Sequence, residues 1–159
     1  MSPGMPEAPT PIRPEIVVAL DFGLRRIGVA VADTLTRTPR PLAALTVVGD
    51  KGPGETELVA LLRLGSELGA ARWVVGCPYN VDGSEHPLAA RARGFAALLA
   101  ERRSLPLHTV DERYSSMEAA QRLREQRAAG LRRRISKAEI DSLSAAVILE
   151  RWLDGEGDH

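Results

Sequence analysis

Ile16-Val-Val-Ala-Leu-Asp21-Phe-Gly23-Leu-Arg-Arg-Ile-Gly28-Val-Ala-Val-Ala-Asp33 consists of two apolar runs joined by a basic bend. Ile16 to Leu20 is short, continuous and rich in β-branched residues, the pattern of a strand buried on both faces. It stops at a carboxylate followed by a glycine, and a second run of strand length begins at Ile27. The stretch therefore reads as a β-hairpin with Asp21 at the end of its central strand. Gly23 supplies a permissive backbone in the bend, and Gly28 leaves room for another chain or a substrate to approach. An ionised Asp at the end of a buried strand needs compensation by a cation or by hydrogen bonds. A solvated turn carboxylate is the simpler alternative, and the rest of the chain has to decide between them.

Working outward, the sequence of 159 residues suits one domain with a proper core, and 44% hydrophobic residues are ordinary for a globular chain. No apolar run approaches the ~20 residues of a membrane span. The Pro-rich start lacks the apolar core of a signal peptide. A single cysteine, Cys77, excludes an internal disulfide and a cysteine-based zinc site. These features lead us to expect a cytoplasmic protein without a membrane partner. Formal net charge is zero, but seven cations lie between Arg122 and Lys137 against one acid, Glu125. That cluster gives some support to an anionic partner.

Residues 1–14, with five prolines, read as a disordered leader, and residues 154–159 as a tail. Between them, 15–153 reads as a single domain. Pro39 to Val48 alternates loosely and ends in Leu45-Thr-Val-Val48, the expected third strand of an antiparallel meander. A helix begins at Glu55, with Leu58, Leu61, Leu62, Gly65 and Leu68 inward and Gly69 as its C-cap. Trp73 to Gly76 is a short buried strand. A turn-rich loop, Pro78 to Ser84, leads to a helix opened by Pro87, with Leu88, Ala92, Phe95, Leu98 and Leu99 inward. Leu105 to Val110 is a fifth strand. Ser115 with Glu118, and Ser136 with Glu139, are capping boxes opening two further helices. The last of these is expected to turn Ile140, Leu143, Ser144, Val147 and Leu153 inward. The order β-β-β-α-β-α-β-α-α predicts a five-stranded mixed sheet, three antiparallel strands then two parallel, with helices on both faces. This α/β architecture is the ribonuclease-H-like fold.

In that topology Asp21 and Glu112 lie at the carboxyl ends of parallel neighbours, where open α/β sheets place their sites. Asp141 sits in the second turn of the last helix, and Ala145 and Ala146 are small enough to let that helix press on the sheet. Converging carboxylates repel unless protonated or bridged by cations, and oxygen-only ligation favours Mg²⁺ or Mn²⁺. Such a cluster suits phosphodiester cleavage by a metal-activated water. Taken singly, Asp21 reads equally as a turn residue, Glu112 as a surface carboxylate and Asp141 as a charge near a helix N-terminus.

Four motifs in this chain resemble the YqgF/RuvX family of Holliday-junction-resolvase-like proteins described as pre-16S rRNA nucleases. They are Leu20-Asp21-Phe-Gly23-x-x-Arg26-Ile-Gly28-Val-Ala, Gly76-x-Pro78-x-Asn80-x-Asp82-Gly83-Ser84, Asp111-Glu112-Arg113-Tyr-Ser115 and Lys137-x-x-x-Asp141-x-x-x-Ala145-Ala146-x-x-Leu149. Ser116 departs from the family's usual Thr, but retains a hydroxyl. The resemblance implies that Asp21, Glu112 and Asp141 are metal-binding catalytic acids. It also implies a metal-dependent nuclease acting on structured nucleic acid, processing the 5′ end of pre-16S rRNA in ribosome biogenesis. Holliday-junction resolution is the alternative nuclease role.

Arg25 and Arg26 are candidates to grip phosphates, or else line a solvated bend. Lys137, one turn before Asp141, would offset charge at a scissile phosphate. Asn80, Asp82 and Ser84 either line the cleft or make a tight turn. Arg113 contacts nucleic acid or pairs with a site carboxylate, and Arg132, Arg133 and Arg134 are placed to clamp a nucleic-acid backbone. No aromatic residue accompanies that loop to stack bases. His108 and Cys77 are expected to pack within the fold. We expect a monomer or weak homodimer; a resolvase, which cuts two strands symmetrically, would need a two-fold dimer. An ATP-binding phosphotransferase on the same core, or a non-catalytic nucleic-acid-binding module, are the competing classes.

Overall fold

The computed structural model describes residues 13–77, 87–103, 105–111, 119–122, 124–125 and 136–156. The opening hairpin forms as β1 (Ile16–Asp21) and β2 (Arg26–Asp33), followed by β3 (Arg40–Thr46). Helix α1 (Glu55–Leu68), β4 (Ala70–Cys77), α2 (Ala89–Arg103), β5 (Leu107–Asp111) and α3 (Lys137–Arg151) follow, and a π-turn at Trp152–Glu156 ends the fold. The strands lie in the order β3-β2-β1-β4-β5. β1 pairs antiparallel with β2 and parallel with β4, β2 antiparallel with β3, and β4 parallel with β5. This is the expected mixed sheet, with β1 at its centre.

Strand alternation divides the core into two layers. Val18, Leu20, Ile27, Val29 and Val31 face one side, where Leu58 and Leu61 of α1 and Ala92, Phe95, Ala96 and Leu99 of α2 cover them. Val17, Ala19, Ala30, Ala32, Val74 and Val110 face the other side, against Ala145, Ala146, Ile148 and Leu149 of α3. Gly69 ends α1 in the left-handed conformation at φ 70°, as a C-cap glycine should. The two helices of the first layer are tied by a bidentate ion pair from Arg102 to Glu55 at 2.5 and 2.7 Å.

Several elements differ from expectation, among them β4, which starts at Ala70 and not at Trp73, and β5, which starts at Leu107 and not at Leu105. β3 starts at Arg40, earlier than Leu45. Pro41 sits inside it opposite Ala30, which an edge strand tolerates because one side of its ladder has no partner. In α2, Leu98 is exposed while Ala89 and Ala96 are buried. The stripe 89, 92, 96, 99 makes the inner face, and Leu98 falls beside it. α3 does not have one inner face: Ser142 and every residue from Ser144 to Leu149 are buried. A helix apolar all round is one covered all round, and Arg122, in the helical residues 119–122, reaches across to Glu150 at 2.7 Å. The remainder of the helix expected from Ser115 lies outside the described residues.

Candidate active site

The site is assembled where β1 ends. Asp21 is its last residue, paired with Gly28 of β2 on one side and Gly76 of β4 on the other. Residues directly opposite in a ladder point to the same face, and Asp21 follows Val17 and Ala19, which face α3. Asp21 therefore stands on the α3 face, between two strand positions that have no side chain. It is half-buried.

Gly28 decides how close α3 comes. A Cβ there would lie 2.0 Å from the carbonyl oxygen of Asp141 and 3.0 Å from the amide nitrogen of Ser142. Nothing larger than hydrogen fits between β2 and the helix backbone at this point. The sequence suggested that Gly28 admits another chain or a substrate; what it admits is α3. The small Ala145 and Ala146, both buried, continue the same close approach along the helix. Ser136 caps the helix, accepting the Glu139 N–H at 3.2 Å while the Glu139 carboxylate accepts the Ser136 N–H at 3.3 Å. Asp141 then falls one turn inside a well-defined start, beside the residue that pairs with Asp21.

Arg26 is drawn into this cluster. Its Nε donates to Asp141 Oδ2 at 2.8 Å, and each side chain is 29% exposed. The sequence offers Arg26 to phosphates or to a solvated bend, and carboxylate pairing to Arg113. The signal was present in the alternation: Arg26, Gly28, Ala30 and Ala32 share one face, and that face meets α3. Arg25 is exposed, as is Lys137 in the first turn of α3. Ser142, next to Asp141, is buried, and its Oγ has no hydrogen-bond partner among the described residues. His108 packs as expected, its ring 5.0 Å from that of Trp152.

Glu112, Asn80, Asp82, Arg113, Ser84, Arg132, Arg133 and Arg134 lie outside the described residues. β5 ends at Asp111, paired with Cys77, at the same end of the sheet as Asp21 and with β4 between them. Among the described residues no group of three His, Cys, Asp or Glu side chains is clustered. The two described acids nevertheless fit a hard divalent cation: their donors are carboxylate oxygens only, and among the described residues Asp141 keeps Oδ1 without a hydrogen bond while Oδ2 meets Arg26.

Comparison with known proteins adds to this geometry. The family model described as "RuvX: Holliday junction resolvase" matches residues 15–155. A protein of Xanthomonas campestris pv. campestris (strain B100) named "Putative pre-16S rRNA nuclease" is 45% identical over 150 residues, 94% of each chain. One of the same name from Xylella fastidiosa (strain M23) is 43% identical over 149 residues, again 94% of each chain. Among solved structures, "T. thermophilus RuvC in complex with Holliday junction substrate" covers 90% of this chain and 96% of its own, with a TM-score of 0.55 at 16% identity. At that identity the likeness speaks for the fold alone, which is ribonuclease-H-like.

Proposed function

Because the chain belongs to the RuvX family, a family of nucleases, we propose that it is a phosphodiester hydrolase whose substrate is the 5′ region of pre-16S rRNA. Its catalytic acids are Asp21, Glu112 and Asp141. The observation that carries this reading is the junction at Gly28, where α3 closes on β2 and brings Asp141 beside the strand position paired with Asp21. The RNA substrate is favoured by the relatives of 43–45% identity, which share nearly the whole length and carry that name.

Asp21, Glu112 and Asp141 would hold a divalent cation, Mg²⁺ or Mn²⁺, which when bound offsets their mutual repulsion and activates water for attack at phosphorus. The protein's own groups do the rest. The carboxylates fix the place of attack at the open end of the sheet. Lys137, in the first turn of α3, and Arg25, in the hairpin bend, offer exposed positive charge to backbone phosphates at the same end. Arg113, Asn80 and the run Arg132 to Arg134 extend that contact along the nucleic acid. Phosphate contacts of this kind position a polymer without reading its sequence.

Junction resolution is the second reading, favoured by the family model's description. A 5′-extended small-subunit rRNA leader and a four-way DNA junction, each incubated with Mn²⁺, Mg²⁺ or EDTA, separate the two. Cleavage of the RNA alone, lost in EDTA, is the expected result. Cleavage of the junction alone moves the assignment to recombination, and a dimer in solution would accompany it.

A further inference from the structure

The Arg26–Asp141 contact involves one edge of the guanidinium and one oxygen of the carboxylate: Nε meets Oδ2 at 2.8 Å. Among the described residues Oδ1 of Asp141 and the two Nη groups of Arg26 make no hydrogen bond. The carboxylate's position is set from two sides. Its backbone is pressed against Gly28, and its side chain is held by a residue two positions away on the same strand and face.

We propose that Arg26 is a positioning residue for Asp141: it holds Oδ2 so that Oδ1 is presented as the cation donor, and keeps its Nη edge for a substrate phosphate. This rests on the metal-dependent reading above. Carboxylates that ligate metals are commonly oriented by a hydrogen bond to their second oxygen, and loss of the orienting group weakens metal affinity by roughly 10–100-fold. A guanidinium is suited to the double task because its donors form a rigid planar fork whose edges can be used separately.

Mn²⁺ affinity of the full-length protein, read from the free-ion EPR signal, tests the assignment in wild type, Arg26→Ala, Arg26→Lys and Asp21→Asn. Circular dichroism checks that each variant is folded at the temperature used. Arg26→Ala is expected to bind Mn²⁺ about tenfold more weakly. Arg26→Lys, which can still donate one charged hydrogen bond to Oδ2, should recover most of that affinity while KM for RNA stays raised, because the forked phosphate contact is gone. A merely structural role would not produce that split. Equal or tighter Mn²⁺ binding in Arg26→Ala would overturn the proposal, since it would make Arg26 a competitor of the cation. Failure of the wild type to bind Mn²⁺, with Asp21→Asn indistinguishable from it, would overturn the metal-dependent reading together with this one.

Discussion

At the scale of single residues, Gly28 has a closer approach than Gly23, Gly52 or Gly65, the other described glycines where a Cβ would meet a neighbour. The atoms a methyl group would meet are backbone atoms of α3, so no side-chain rotation can relieve the contact. Gly28→Ala must move the helix or the strand. Overpacking of this kind costs about 1–3 kcal/mol, and more where the neighbour is rigid. We expect the urea midpoint to fall accordingly, and nuclease activity to drop under conditions where the variant is still fully folded, because Asp141 moves with its helix. An unchanged midpoint would contradict the close packing of α3 on β2. The glycine was legible in the sequence as a place of close approach, but its partner was not. Sequence spacing relates residues 28 and 141 only after the topology is known.

At the scale of elements, the turn between β2 and β3 is organised by Asp33. Its carboxylate accepts the N–H groups of Leu35 at 3.0 Å and Thr36 at 2.7 Å, and the Thr36 hydroxyl at 3.1 Å. The same turn places Arg37, in the left-handed region at φ 56°, so that its guanidinium donates to the Leu153 carbonyl just beyond the end of α3. The Thr36 backbone N–H, more than any other group, holds the Asp33 carboxyl below its ordinary value of 3.8. A carboxylate depressed in the folded state stabilises above its unfolded pKa, and that contribution is lost as pH falls through the folded value. Asp33→Ala should therefore be less stable than wild type at neutral pH by an amount that shrinks as pH drops below 3.8, in urea melts taken across the acid range. A gap that stays constant down to acid unfolding would contradict this role.

Elements also show where sequence patterns mislead. Loose alternation from Pro39 resolved into a clear strand pattern only at Leu45, and the place of β3 at the sheet edge is what explains Pro41 inside it. The spacing in α3 suggested one buried stripe, yet Ser142 and every residue from Ser144 to Leu149 are buried, and Arg122 of the helical residues 119–122 pairs with Glu150 of α3. Both errors concern neighbours, which a local pattern does not contain. The central hairpin and α1 were legible because their burial is decided within a few residues.

For the whole molecule, the sheet order brings the ends of β1 and β5 to one end of the sheet but with β4 between them, so they are not the adjacent strands the sequence suggests, and the helix start at Ser136 fixed the depth of Asp141. That much of the site followed from strand ends and a capping box. Arg26 as the partner of Asp141 did not, although strand alternation pointed to the right face. The central claim is that Asp21, Glu112 and Asp141 act as one cation-binding unit that cleaves RNA. The measurement that tests it most directly is the cleavage rate of a 5′-extended small-subunit rRNA leader in Mn²⁺ by Asp21→Asn, Glu112→Gln and Asp141→Asn beside wild type. Because the three act together, each single replacement should lower the rate by on the order of a hundredfold or more, with RNA binding retained. Near-wild-type cleavage by any one of the three would contradict the account.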